Sequence, residues 1–77
     1  MLNRALIEDF GKRIRQLRTE RNLSQEQLAE LTGFHRTYIG MVERGERNLA
    51  LSNVSVFAKV FKVSIPDLLT FEKRGER

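Results

Sequence analysis

Residues 25–44, QEQLAELTGFHRTYIGMVER, decide the fold of this 77-residue chain. Two short helical patterns meet at Gly33, where a residue without a Cβ most easily adopts a positive φ. Ala29 is small enough to let the two helices cross closely. The other apolar positions are those that pack the pair together: Leu28, Phe34, Ile39 and Val42. The segment predicts a helix-turn-helix whose second helix is available to the major groove of DNA.

The second helix of this unit leaves five residues pointing outward: Arg36, Thr37, Tyr38, Gly40 and Met41. An arginine can donate two hydrogen bonds to guanine O6 and N7, and a threonine can offer its methyl to thymine or its hydroxyl to a base edge. Arg36 and Thr37 open the helix on its exposed side and are therefore predicted to contact bases. The alternative interpretation is an ordinary solvated helix start.

On the N-terminal side, the spacing predicts a first helix over about residues 6–20. Its apolar stripe recurs at intervals of 3, 4 and 3 residues, at Ile7, Phe10, Ile14 and Leu17. The next helix begins after Ser24, which with Gln27 forms the pattern of a capping box, and it ends near Thr32. The first three helices are thus expected to end at about residues 20, 32 and 44.

On the C-terminal side, a fourth helix is expected over about residues 51–62 and a short fifth helix after Ser64, with Pro66 in its first turn. The fourth helix is expected to bury Leu51, Val54, Phe57, Ala58 and Phe61, and the fifth to turn Leu68 and Leu69 inward. The chain is therefore predicted to be an all-α, compact five-helix single domain over residues 1–77. Its core spans about 6–71, and a charged tail follows at 72–77.

The charge balance permits a polyanionic partner without establishing one. The chain carries 14 basic and 10 acidic residues, a net charge of +4, and six basic against three acidic residues within 1–21. No segment has the length or apolarity of a signal-peptide core or a membrane span. The absence of cysteine removes disulfides and thiolate chemistry. We expect a soluble, cytoplasmic protein with no membrane partner.

No motif in the sequence indicates catalysis. His35 is the single histidine and lacks a partner at metal-ligand spacing, no serine lies in a nucleophile motif, and no glycine loop could hold a phosphate. Glutamates such as Glu26 and Glu30 have the spacing of helix-surface carboxylates. The sequence therefore predicts neither an enzyme nor a metal site nor a cofactor.

The chain also resembles a known family, the Cro and phage-repressor type of helix-turn-helix proteins, often called XRE. The resemblance runs from about Phe10 to Leu69 and rests on LSQEQLAELTG, HRTYIGMVERG and a trailing apolar pattern. It implies the lambda-repressor-like DNA-binding fold. The combination of RTYI with ERGERN is most similar to the controller proteins of restriction–modification systems. Asn22 and Lys62 stand where these relatives usually have glycine.

The resemblance implies roles for single residues. It implies a base or backbone contact for Tyr38, which we assign to the bases, although its ring could instead simply cover the surface. Met41, on the same outward side, is also predicted to contact bases. It implies DNA backbone contacts by four residues: Gln25, His35, Arg47 and Asn48. It also implies a partly buried ion pair between Arg18 and Glu43, with a structural role. Arg44 is expected to be a surface charge.

The mechanism implied is that of a homodimer on a pseudo-palindromic operator. We expect the fourth-to-fifth helix region to form the dimer interface through Ile65, Leu68 or Phe71, because an aromatic near the end of a small domain has little core left to enter. A controller protein would regulate its own gene and the endonuclease gene, with RNA polymerase as a further partner. Alternative interpretations are an antitoxin that also represses its own operon, a phage-type repressor and an interaction bundle that does not bind DNA.

Overall fold

The computed structural model describes residues 3–71, which form five α-helices joined by short turns. The helices are α1 (Arg4–Glu20), α2 (Gln25–Thr32), α3 (Arg36–Glu43), α4 (Leu51–Phe61) and α5 (Ile65–Leu68). The predicted all-α, five-helix fold is confirmed. The charged tail expected over 72–77 lies outside the described residues.

α1 begins at Arg4, before the start at about Leu6 that the sequence predicts. The side chain of Asn3 accepts a hydrogen bond from the Leu6 N–H at 2.9 Å and so satisfies an amide of the first turn that has no partner within the helix. An apolar stripe marks only the buried part of a helix. An exposed first turn such as this one is therefore missed by the periodicity.

The two ends of α2 lie where the local signals of the sequence predict them. Ser24 Oγ accepts from the Gln27 N–H at 3.0 Å, and the Gln27 side chain accepts from the Ser24 N–H at 2.7 Å, which completes the predicted capping box. Gly33 ends α2 with a φ of 81°, in the left-handed region where glycine is favoured. Both ends of α2 are thus determined by residues in or directly next to the helix itself.

The hydrophobic core is centred on α4. The ring of Phe57 is completely buried and lies 6.2 Å from Phe10, 5.4 Å from Phe34 and 6.4 Å from Phe61, measured between ring centroids. Such aromatic pairs add stabilisation beyond the apolar area they bury. Phe57 therefore joins α1, the turn before α3 and its own helix into one core.

α1 and α3 cross at Gly11. A Cβ at this position would overlap the carbonyl oxygen of Val42 and lie 2.8 Å from that of Glu43. The backbone of α1 therefore rests directly on the last turn of α3. This approach fixes the tilt of α3 against the rest of the domain.

Two predictions of burial are wrong. Leu51 is 69% exposed because it is the first residue of α4, and helical side chains tilt toward the N-terminus, here beyond the start of the helix. Leu49, just before the helix, is buried instead. Leu69 is 37% exposed while Leu68 is completely buried, since adjacent residues in a helical turn point about 100° apart.

α4 ends with Lys62 in a left-handed conformation, at a φ of 60°. This conformation costs a non-glycine residue about 1–2 kcal/mol, and a glycine avoids that cost. Glycine also has a larger conformational entropy in the unfolded chain, which offsets part of the stability gained. We expect Lys62→Gly to raise the free energy of unfolding by about 1 kcal/mol in urea denaturation. The matched Lys59→Gly, inside the helix, should lower it by about 0.5–1 kcal/mol. A loss of stability in Lys62→Gly would contradict this account.

Across residues 3–71, no helix combines the length and the apolarity that crossing a membrane would require.

Candidate nucleic-acid interface

α3 starts at a histidine cap. His35 Nδ1 accepts a hydrogen bond from the Thr37 N–H at 3.0 Å, and its side chain is exposed. The preceding turn is closed by Thr32, whose Oγ1 accepts from the Phe34 N–H at 3.2 Å. His35 thus sets the start of the helix. Its contact with the DNA backbone stays a prediction.

The exposed edge of α3 begins with Arg36 and Thr37, both of which face solvent. The Arg36 Nε lies 3.3 Å from Glu26 Oε2 on α2, and the two side chains are 55% and 67% exposed. An ion pair this exposed contributes little to stability and is easily exchanged. The Arg36 guanidinium is therefore available to another acceptor that approaches this edge.

Tyr38 is held on three sides. Its ring meets Phe34 edge-on, with centroids 5.0 Å apart, and the Arg47 guanidinium lies 5.3 Å from the ring centroid. Its hydroxyl accepts a hydrogen bond from Asn53 Nδ2 at 3.0 Å. The sequence places Tyr38 simply outward, whereas the structure shows it half-buried and fixed between α3, the following loop and α4.

The loop after α3 brings further predicted contacts to the same edge. Arg47 Nη1 lies 3.9 Å from Met41 Sδ, so the exposed guanidinium spans Met41 and Tyr38. Met41 is half-buried and Asn48 is exposed. Arg47, Met41 and Tyr38 therefore form one continuous surface that runs from the first turn of α3 to the loop after it.

The other outward residue of α3, Gly40, is buried, which corrects the prediction that it points outward. A Cβ on Gly40 would lie 3.1 Å from Nη1 of Arg44. The Arg44 side chain, an exposed surface charge as expected, therefore lies across this part of the helix.

A partly buried ion pair anchors the last turn of α3. Arg18 Nε donates to Glu43 Oε2 at 2.6 Å and Arg18 Nη2 donates to Glu43 Oε1 at 3.0 Å, a two-pronged contact. The side chains are 12% and 4% exposed. Gln25 Nε2 donates to the same carboxylate at 3.1 Å. The ion pair implied by the resemblance is present, and Gln25 extends it to α2.

Arg18 of α1 and Arg44 at the end of α3 each pair with a glutamate, but the first pair is partly buried and the second is exposed. The hydrogen bond to Glu43 raises the pKa of the Arg18 guanidinium against the opposing effect of burial. On the surface, the hydrogen bond from Arg44 lowers the pKa of Glu46, with the atoms 3.0 Å apart. Arg18 thus has a structural role in joining α1 to α3, while Arg44 belongs to an exposed ion pair that solvent screens.

The predicted dimer residues differ in exposure. Leu68 is completely buried in the core, so its side chain cannot lose further solvent contact to a partner, and this part of the prediction is wrong. Ile65 and Phe71 are half-buried and pack against the core. Phe71 therefore does find core to enter, contrary to the argument from its position near the end of the domain.

Sequence reasoning missed two residues that hold the predicted contacts in place. Asn53 supports Tyr38 from 15 residues away, and no periodicity links the two. Glu26 holds Arg36 across the turn, although its spacing suggests only a surface carboxylate. A half-buried hydroxyl such as that of Tyr38 needs a hydrogen-bond partner within the protein, whereas the exposed Arg36 guanidinium does not.

Within residues 3–71, no three His, Cys, Asp or Glu side chains gather in a way that could hold a metal ion.

Comparison with known proteins places this geometry in a family. The family model described as "Helix-turn-helix" matches residues 14–68. The control protein C.SmaI of Serratia marcescens is 54% identical over 63 residues, which cover 82% of this chain and 75% of that protein. The control protein C.BamHI of Bacillus amyloliquefaciens is 45% identical over 67 residues, which cover 86% of this chain and 83% of that protein.

A solved structure agrees with these relatives. The crystal structure of the restriction–modification controller protein C.AhdI from Aeromonas hydrophila superimposes with a TM-score of 0.76 and 45% identity. The match covers 83% of this chain and 96% of that one. These relatives are transcriptional regulators rather than enzymes. The chain therefore belongs to the XRE-type helix-turn-helix family of DNA-binding transcriptional regulators, among the restriction–modification controller proteins.

Proposed function

We propose that the protein binds a pseudo-palindromic operator as a homodimer and regulates both its own gene and the gene of an associated restriction endonuclease. The observation that carries the proposal is the exposed edge of α3, held at a fixed tilt by Gly11 and by the Arg18–Glu43 pair. A rigid helix with an open polar edge suits the major groove, which is wide enough to admit it. The site of action would be the cytoplasm, where the operator lies.

Two groups of residues make different contacts with DNA in this proposal, one with the bases and one with the backbone. Base contacts are assigned to the residues on the open edge of α3: Arg36, Thr37, Tyr38 and Met41. Backbone contacts are assigned to the residues at the borders of that edge: Gln25, His35, Arg47 and Asn48. Contacts of the second kind fix the register of the protein on the duplex and carry no sequence information directly.

The dimer would form through α5 and the residues after it. Ile65 and Phe71 each expose part of an apolar side chain. Leu69, which lies between them in the sequence, is 37% exposed. We assign Leu69 to this interface in place of Leu68. A domain of this size buries only about 60% of its unfolded surface, so apolar area covered by a second copy adds needed stability.

RNA polymerase is the further partner in this proposal. Bound beside a promoter, the protein would block polymerase or recruit it. Glu26 and Glu30 are both exposed on α2, but Glu26 forms an ion pair with Arg36. Glu30 takes no part in that pair and is therefore the better placed of the two for a contact with polymerase.

Selection of bound sites from random duplex DNA tests the function directly. The wild-type protein should select paired half-sites with centres about 34 Å apart, one turn of DNA. In Arg36→Ala, preference should relax at one position of each half-site, with about ten-fold less discrimination there. In Arg47→Ala, affinity should fall evenly across sequences, and the slope of log K against log salt should become shallower by about 0.9.

Two results would contradict the proposal. Selection of single half-sites by the wild-type protein would remove the dimer. An even loss of affinity in Arg36→Ala, with every base preference kept, would move Arg36 from the bases to the phosphates.

A further inference from the structure

Asn53, in the first turn of α4, is tied to the recognition helix α3 by one hydrogen bond. Its Nδ2 donates to Tyr38 Oη at 3.0 Å. A phenolic hydroxyl has one proton to donate and lone pairs with which to accept. Because the amide N–H occupies an acceptor position of Oη, the phenolic proton has to point away from Asn53. The Asn53 amide thus sets the direction in which Tyr38 donates.

The hydroxyl is also held in place before any partner arrives. The Tyr38 ring is packed against Phe34 at 5.0 Å and under the Arg47 guanidinium at 5.3 Å. A group already fixed in its bound position loses less conformational freedom on binding. A hydroxyl that accepts one hydrogen bond also donates the next one more strongly.

We propose that Asn53 is a positioning residue that makes the Tyr38 hydroxyl a dedicated hydrogen-bond donor toward the DNA. The group it matches is an acceptor: a phosphate oxygen, or a base acceptor such as guanine O6, guanine N7 or thymine O4. The amino groups of adenine and cytosine do not match. This inference rests on the DNA binding proposed above and names the chemistry of one of its contacts.

A double-mutant cycle on the selected duplex tests the inference. Asn53→Asp keeps the shape of the side chain but offers only acceptors, so the phenolic proton turns toward the carboxylate and away from the DNA. The added negative charge weakens binding as well, and the same change made together with Tyr38→Phe measures that effect alone. We expect Asn53→Asp to cost about ten-fold more affinity with Tyr38 present than with Tyr38→Phe.

Two further variants complete the design. Ser55→Asp adds the same charge on an exposed position of α4, and its effect should be equal with and without Tyr38→Phe. Asn53→Ala removes the amide without adding charge. It should cost about three-fold in affinity with Tyr38 present and nothing with Tyr38→Phe. Thermal melting identifies any variant that does not fold, and Asn53→Ala then replaces Asn53→Asp in the cycle.

The outcomes separate the inference from the function beneath it. Equal losses with and without Tyr38→Phe, in a protein that keeps its sequence preference, would overturn the role of Asn53 alone. A wild-type protein without any sequence preference would overturn the proposed function and this inference together. If the coupling is found, a loss in Tyr38→Phe spread evenly over sequences identifies a phosphate acceptor, and a loss at one position identifies a base.

Discussion

Gly11→Ala is expected to lower the free energy of unfolding by about 3 kcal/mol or more, because the new methyl group has no room between α1 and α3. It would overlap the carbonyl oxygen of Val42 and lie 2.8 Å from that of Glu43, and both are backbone atoms that cannot rotate away. Domains of this kind have a total stability of about 5–15 kcal/mol, so much of it would be lost. Guanidinium denaturation followed by circular dichroism measures the change.

Gly40→Ala is the matched control, since Gly40 also lies inside a helix and is also buried. Its new Cβ would meet the Arg44 guanidinium at 3.1 Å, the end of a flexible and exposed side chain that can move. The better helix propensity of alanine then makes the change neutral or stabilising by up to about 1 kcal/mol. Similar losses in both variants would show that the α1–α3 crossing is not the cause.

The second large effect is expected from Arg18→Met. This change leaves the carboxylate of Glu43, which is 4% exposed, without its cation and with Gln25 as its remaining described donor. Breaking a buried pair by removing one partner typically costs about 3–5 kcal/mol, because an uncompensated charge stays buried. Urea denaturation should therefore show a loss of this size.

Two control variants separate the effect of the partly buried charge from the effects of an exposed charge and of packing. Glu46→Gln breaks the exposed ion pair between Arg44 and Glu46, whose side chains are 59% and 51% exposed, and it should leave the free energy of unfolding almost unchanged. The double variant Arg18→Met with Glu43→Met removes both charges and should be more stable than Arg18→Met alone. A double variant as unstable as the sum of its two single changes would show that packing, and not the charge, sets the cost.

The parts of the fold that the sequence predicts are those set by near neighbours in the chain. The capping box of Ser24 and Gln27 involves residues three apart, and the left-handed turn at Gly33 depends on one residue. The left-handed conformation is also found at Asn22, with a φ of 56°, one of the two positions where relatives usually have glycine. Local signals of this kind need no knowledge of the tertiary structure.

The parts that the sequence does not predict depend on what lies across the domain. A helical stripe gives the same weight to Leu51 as to Val54, but only the structure shows that the core does not extend beneath the first turn of α4. Gly11 falls within α1 and carries no signal of its own, because its role comes from the α3 backbone above it. In the candidate site, Asn53 and Glu26 act through partners on other helices.

The location of Glu43 has a consequence for how such proteins diverge. Its carboxylate receives Arg18 from α1 and Gln25 from α2 in the last turn of α3, while Arg36 and Thr37 are exposed in the first turn. Mutations of these exposed residues therefore leave the anchoring of the helix intact. A lineage can acquire a new operator by exchanging a few surface side chains, and neighbouring systems in one cell can become insulated from each other without any change of scaffold.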